Sequence, residues 1–295
     1  MHSIRRLLWV FILALMPLMA SATMSVNSLN YPVWIERGTN NLPLAPGDRL
    51  QDGDIVQTGA VGRVWLEVED GSVIKLGPNT RLRIDRVDFR EVDNSTVLEA
   101  AFDLMKGAFR FTKGFFSMQQ PATHRVEFRV GAISVDIQGT DVWGRSGEHE
   151  DIVALFEGRV EVTSGGQDPV VMDEAMTLFR KAKSEPDVPV TVVDAVAVES
   201  LISETELDAS AGIARAGGIY SLVLQSNSNP VHTNAALKRF HGVRYAVQAR
   251  FVEVNGKSYT RIQLGGLIHL ESAKNLRQAM ISKGLIDDAW IVPFE

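Results

Sequence analysis

Turn-forming residues recur about every ten positions between Val33 and Val162, and that spacing leaves room only for short strands. Pro46-Gly47-Asp48, Asp52-Gly53-Asp54, Gly59, Asp70-Gly71, Gly77-Pro78-Asn79, Gly107, Gly139 and Gly158 are the punctuation. The stretch RVWLEVEDGSVIKL shows the pattern best. Val64, Leu66 and Val68 alternate with Trp65, Glu67 and Glu69, and Glu69-Asp70-Gly71-Ser72 supplies a hairpin turn before Val73, Ile74 and Leu76. One face of such strands is dry and the other wet, so an all-β sandwich, roll or barrel is expected.

Beyond Met172 the pattern changes. DEAMTLFRKAKSEPDVPV carries charge and two prolines, and Asp194 to Ile213 places apolar residues at helical spacing, so a closing segment, one helix and a linker ending near Arg215–Gly218 are expected. The remainder reads as a strand from Tyr220 to Gln225, a helix over TNAALKRFH capped by Thr233 or Asn234 and stopped at Gly242, and a strand from Arg244 to Val254. After the hairpin VNGKS come the strand YTRIQL, a helix from Leu270 to Lys283 ending at Gly284, and a last strand in DAWIVPF. The order βαββαβ is the split-βαβ or ferredoxin-like α+β arrangement, with both helices on one side of a four-stranded antiparallel sheet. The chain is therefore expected to be multidomain: 1–22 a signal peptide, 23–185 an all-β domain, 186–217 a partly helical linker and 218–295 an α+β domain.

The signal peptide rests on Arg5 and Arg6, the apolar run Leu7–Met19 and the small residues Ala20-Ser21-Ala22, with cleavage expected near Thr23. The run is short for a bilayer span and Pro17 interrupts it, so a periplasmic protein with no transmembrane anchor after cleavage is expected. The absence of cysteine excludes a disulfide framework, a thiol nucleophile and a lipidated cysteine. Net charge is −6 overall, but residues 218–295 carry nine Lys and Arg against five Asp and Glu, or +4, leaving −10 for the rest. Two modules with different partners fit that asymmetry, as does a solvated basic face without a partner.

Catalytic patterns are missing. No Gly-x-Ser-x-Gly elbow, phosphate loop or dinucleotide fingerprint occurs. His149 between Glu148 and Glu150 matches no metal-ligand spacing, and His232, His241 and His269 are dispersed. Glu253 and Glu271 are the acids available for glycan cleavage, and Asn94 opens a glycosylation-like triplet of little weight. No enzyme, metal or cofactor is expected.

The polar side of the strand YTRIQL presents Tyr259, Arg261 and Gln263, with Ser221, Val223 and Gln225 in phase on the first strand and Gln248 and Arg250 on the second. A ring, a planar fork of donors and an amide at alternate strand positions suit the hydroxyls, acetamides and apolar ring faces of a sugar chain. Trp290 would join that face or cap the core. The same residues also describe the wet side of any amphipathic sheet. An open sheet with aromatics describes RNA-recognition modules too, but the export signal and the small positive balance oppose nucleic acid as a partner.

Two resemblances add to this reading. LAPGDRLQDGDIVQTGAVGRVWLEVEDGSVIKLGPNTRLRI, LMKGAFRF, ISVDIQGTDVWGR and DIVALFEGRVEV resemble the FecR-type periplasmic domain across roughly Val33–Val162. This implies an extracytoplasmic β-module that meets proteins and, in signalling members, relays to an anti-sigma function, whose cytoplasmic portion and membrane helix have no counterpart here. YSLVLQS, NAALKRF, GKSYTRIQLGGL and SAKNLRQAMISKG resemble the sporulation-related repeat (SPOR) domain over about the last 75 residues. That implies binding of peptidoglycan glycan strands stripped of stem peptides, although Val223 stands where the family has Gln, and Gly265-Gly266-Leu267 where it favours Gly-Pro-Phe. The combined expectation is a non-enzymatic envelope protein whose last domain holds the β-module on denuded glycan near envelope or division proteins. The alternative is an envelope signalling or scaffold protein that binds partner proteins through its FecR-like domain.

Overall fold

Gly107 sits at φ +89° inside one long strand, β9 (Ser95–Thr112), and there the strand passes from one sheet into another. A β-carbon at Gly107 would lie 2.3 Å from Thr80 Oγ1, which accepts a hydrogen bond from Ala108 N (3.0 Å) and so pins the corner. The computed structural model describes residues 24–92, 95–114, 122–138, 141–183 and 188–294; the expected signal peptide, Asn94 and Gly139 lie outside them.

The first sheet begins with β1 (Met24–Asn30), flanked by β4 (Arg49–Leu50) and followed by β6 (Arg63–Val68) and β7 (Val73–Leu76). It continues through the second half of β9, then β12 (Asp141–Ser146), β13 (Glu150–Glu157), β16 (Thr177–Ala182) and β17 (Val188–Val192), all antiparallel. The second sheet runs β3 (Asn40–Pro43), β2 (Val33–Arg37), β5 (Ile55–Thr58), β8 (Arg81–Val92) and the first half of β9. Beyond β9 it adds β10 (Ala122–Val130), paired in parallel, then β11 (Ile133–Ile137), β14 (Val160–Ser164) and β15 (Val170–Met172). The alternation seen in the sequence is realised here: Val64, Leu66, Val68, Ile74 and Leu76 are all buried.

Phenylalanines join the two sheets. The fully buried Phe128 ring lies 4.8 Å from Phe102, 4.1 Å from Phe109 and 6.1 Å from Phe111 between centroids. Phe109 and Phe111 come from the first-sheet half of β9, Phe102 and Phe128 from the second sheet.

The C-terminal elements follow in the order β19 (Tyr220–Asn227), α2 (Pro230–Gly242), β20 (Gln248–Val254), β21 (Lys257–Leu267), α3 (Leu270–Ser282) and β22 (Trp290–Pro293). Their sheet order is β22, β19, β21, β20, antiparallel throughout. Leu222, Leu224, Ile262 and Leu264 share the core with Phe240 of α2 and Leu276 and Met280 of α3. The cap of helix α2 lies four or five residues before the expected ones, because Asn229 Oδ1 accepts from Val231 N (2.8 Å) and Pro230 takes the first helical position, where its missing N–H costs nothing. Arg244 has φ +68°, so β20 starts at Gln248 rather than Arg244.

The expected linker is structured. β17 extends the first sheet past residue 185, α1 (Ala195–Thr205) follows, and β18 (Ala214–Arg215) pairs with both β1 and β21. Asn30 ties this crossing: its Nδ2 donates to Asp208 O and Gly212 O (2.9 Å each) and its Oδ1 accepts from Asp208 N (2.8 Å). Tyr31 stacks on Tyr245 at 5.6 Å, and burial pushes the Tyr245 phenol up to about 12. A mostly β chain with a few helices is thus what the sequence forms, and among the described residues no helix is long and apolar enough to cross a membrane.

Candidate functional site

The sheet face turned away from α2 and α3 is narrower than its sequence suggests. Ser221 and Val223 are fully buried and Gln263 nearly so, with Gln263 Nε2 donating to Ser221 Oγ at 3.4 Å. These three come together, but as an interior layer that no polysaccharide reaches. Just beyond Gln263 and Leu264 on the same strand, the Phe294 ring lies against Gly265, and Pro46 of the β-module approaches Gly266. Gln225 leaves the face altogether. A register shift between Val223 and Gln225 sets Gln225 opposite Ile262, whose side chain points to the helices, and Gln225 Nε2 donates to Asn227 Oδ1 (2.9 Å). A strict two-residue alternation fails at such a bulge.

What stays accessible lies toward the edges. Gln248 is exposed beside Gln263, Arg250 and Arg261 are half-buried cross-strand neighbours, and Tyr259 is half-buried opposite Val252. Trp290, which the sequence left undecided, pairs with Val223 and is 43% exposed. The histidines have structural duties: His269 Nδ1 accepts from Ser272 N (3.2 Å) as the cap of α3, and His241 Nε2 lies 3.0 Å from Val247 O. Glu253 and Glu271 are exposed, His149 is exposed, and among the described residues no three His, Asp or Glu side chains gather to hold a metal.

A second surface went unnoticed in the sequence. Across the outer face of the first sheet, Trp65, Lys75, Arg110, Trp143, Ala154 and Leu178 stand opposite one another on six successive strands. Arg63 and Arg145 flank this row at two-residue offsets on the same face. Cations lie on rings: Lys75 Nζ is 4.3 Å from the Trp65 ring centroid, and the guanidinium carbons of Arg110 and Arg145 are 5.6 Å from Phe156 and 5.4 Å from Trp143. Such a face is expected to be wet, yet Trp143, Ala108 and Ala154 are completely buried.

The chain itself covers them. Helix α1 lays Val198, Leu201 and Ile202 onto Trp143, Ile152, Ala154 and Phe156, with Asp194 as its cap through Ala197 N (2.9 Å). Its far end is clamped by charge. Lys75 Nζ and Arg110 Nη1 both donate to Glu206 Oε1 (2.6 and 3.2 Å), and Arg145 Nη2 donates to Glu204 Oε2. Arg110 also grips Asp141 with two bonds (2.8 and 2.6 Å), which raises its already high pKa before the further attraction of Glu206. Arg63 Nε and Trp65 Nε1 donate to the helix-end carbonyls of Glu204 (3.3 Å) and Thr205 (3.2 Å), answering acceptors that a helix C-terminus leaves open. Trp143 Nε1 is buried and, among the described residues, has no hydrogen-bond partner.

With this geometry in view, comparison with known proteins adds one result about the β-module. Residues 54–161 match the FecR protein family. The matched segment contains Arg63, Trp65, Lys75, Arg110, Trp143 and Arg145, and it ends well before the C-terminal sheet. Two crystal structures of a candidate anti-sigma factor from Parabacteroides distasonis are similar at 11% identity, covering 69% of this chain and 96% of theirs, with TM-scores of 0.40 and 0.38. No curated protein matches the chain.

Proposed function

We propose that this chain is a non-enzymatic cell-envelope protein that binds other proteins through its β-module, in signalling or as a scaffold. The observation that carries this is the FecR match over 54–161, because that segment builds the centre of both sheets and the cation–aromatic row. A face lined by Trp and Arg, met among the described residues by a helix, carboxylates and carbonyls, has the chemistry of a protein-binding surface. The expected result is a discrete protein adduct when a photo-reactive side chain replaces exposed Met105, beside Arg145 and Glu204, in the full chain within the envelope. Absence of any protein adduct there contradicts the reading.

The C-terminal module is proposed to be the split-βαβ unit of the SPOR type, supported by its element order and strand pairing. Glycan contact is a second reading, favoured by Gln248, Arg250, Tyr259, Arg261 and Trp290 remaining at least partly accessible. On this second reading the contact is drawn without the buried Ser221, Val223 and Gln263 and without Gln225, which pairs opposite Ile262. Under this reading Arg261→Ala lowers co-sedimentation of the full chain with purified sacculi several-fold without altering its circular dichroism; unchanged sedimentation removes Arg261 from the surface.

A further inference from the structure

The helix α1 is poorly suited to exist on its own. It is 11 residues long, below the length at which isolated helices persist, and it carries the branched residues Val196, Val198, Ile202 and Thr205. Two of its carboxylates are at the wrong end: Glu204 and Glu206 sit at the C-terminus, where the helix dipole disfavours anions, and its last turn has no basic residue. The sheet supplies what the helix lacks. Arg63, Lys75, Arg110 and Arg145 neutralise the carboxylates and cap the carbonyls, while Trp143 and its neighbours take the apolar side. The fit is incomplete as well, since Val196 is 78% exposed and the buried Trp143 Nε1 has no acceptor beneath the helix among the described residues.

We infer that the row Trp65–Lys75–Arg110–Trp143 is a receptor groove for an acidic amphipathic segment of a partner protein, and that residues 194–208 are its resident, displaceable occupant. The partner segment has one apolar helical face followed by two carboxylates two residues apart, as in Glu204-Thr205-Glu206. This rests on the reading that the β-module binds proteins, and it adds the site, the partner chemistry and a device that keeps the groove closed. The downstream end of the strap is tied to Asn30, and Asn275 Nδ2 of α3 donates to Ala209 O (2.9 Å), so displacement also loosens the C-terminal module.

The probe is a fluorescein-labelled peptide with the sequence of residues 194–208, titrated into the full chain. Glu204→Gln with Glu206→Gln in the chain loosens the resident strap, so that protein should bind the peptide at least about tenfold more tightly than the wild type, while a peptide carrying the same two changes should bind at least about tenfold more weakly than the unmodified one. Equal binding of the two peptides overturns the proposal. Should the double variant not fold, the strap can be watched directly: the chain has no cysteine, so Val198→Cys introduces a single thiol on the strap's own buried side, facing the sheet. The peptide should accelerate maleimide labelling of that thiol severalfold; a rate indifferent to peptide overturns the proposal. Protein adducts at Met105 together with a permanently protected thiol leave the protein-binding reading standing without the strap, whereas loss of the adducts removes the reading itself.

Discussion

Phe128→Ala should lower the stability of the β-module by about 3–5 kcal/mol, measured as a fall in the urea midpoint of the full chain. The ring is fully buried and touches aromatic rings from both sheets, so its loss opens a cavity between layers that neither sheet can close alone. Stacking with Phe102 and Phe109 adds to the burial term. Phe251, 84% exposed on β20, is the matched control, and its replacement by alanine should change stability by less than about 0.5 kcal/mol. A loss below about 1 kcal/mol at Phe128 would mean that the sheets are not joined through this cluster.

Arg110→Ala should cost roughly 2–3 kcal/mol and release the strap at the same time. The side chain is 14% exposed and spans Asp141 and Glu206, which face each other as two carboxylates once it is gone. The figure sits below that for a fully buried pair because Asp141 and Glu206 are 22% and 35% exposed and water relieves part of the stranded charge. Arg110→Lys should recover little, since an ammonium cannot make the two parallel bonds to Asp141. Combined with Val198→Cys, Arg110→Ala should also make the introduced thiol react faster with maleimide.

How much of this was legible depended on whether a feature is local. Alternation and turn chemistry are local, and the strands from Val33 onward and the hairpin at Asp70-Gly71 appear where the sequence places them. Cap and bulge are equally short-ranged but compete with neighbouring signals: Pro230 moved the start of α2 to Asn229, and the irregularity at Leu224 turned Gln225 away from its partners. Burial of Ser221, Val223 and Gln263 was not legible, because it belongs to the assembled sheet, in which Val223 and Gln263 face each other across two strands, and not to the alternation along either strand. The row of cations and rings did leave a trace. Arg63, Trp65, Lys75, Arg110, Trp143 and Arg145 all occupy positions that alternation assigns to the wet side, and tryptophan there is a sign that something covers it. That they gather on one face of four adjacent strands could be seen only from the register.

The claim that binds these observations together is that the protein holds its place in the envelope by contacts with other proteins. Its most direct test is to bind the full chain to isolated envelopes, digest the glycan completely with a muramidase, and measure what remains attached to the residual membrane and protein fraction. Retention of the protein, with its Met105 adduct intact, is the predicted result; its quantitative release with the glycan fragments would contradict the account.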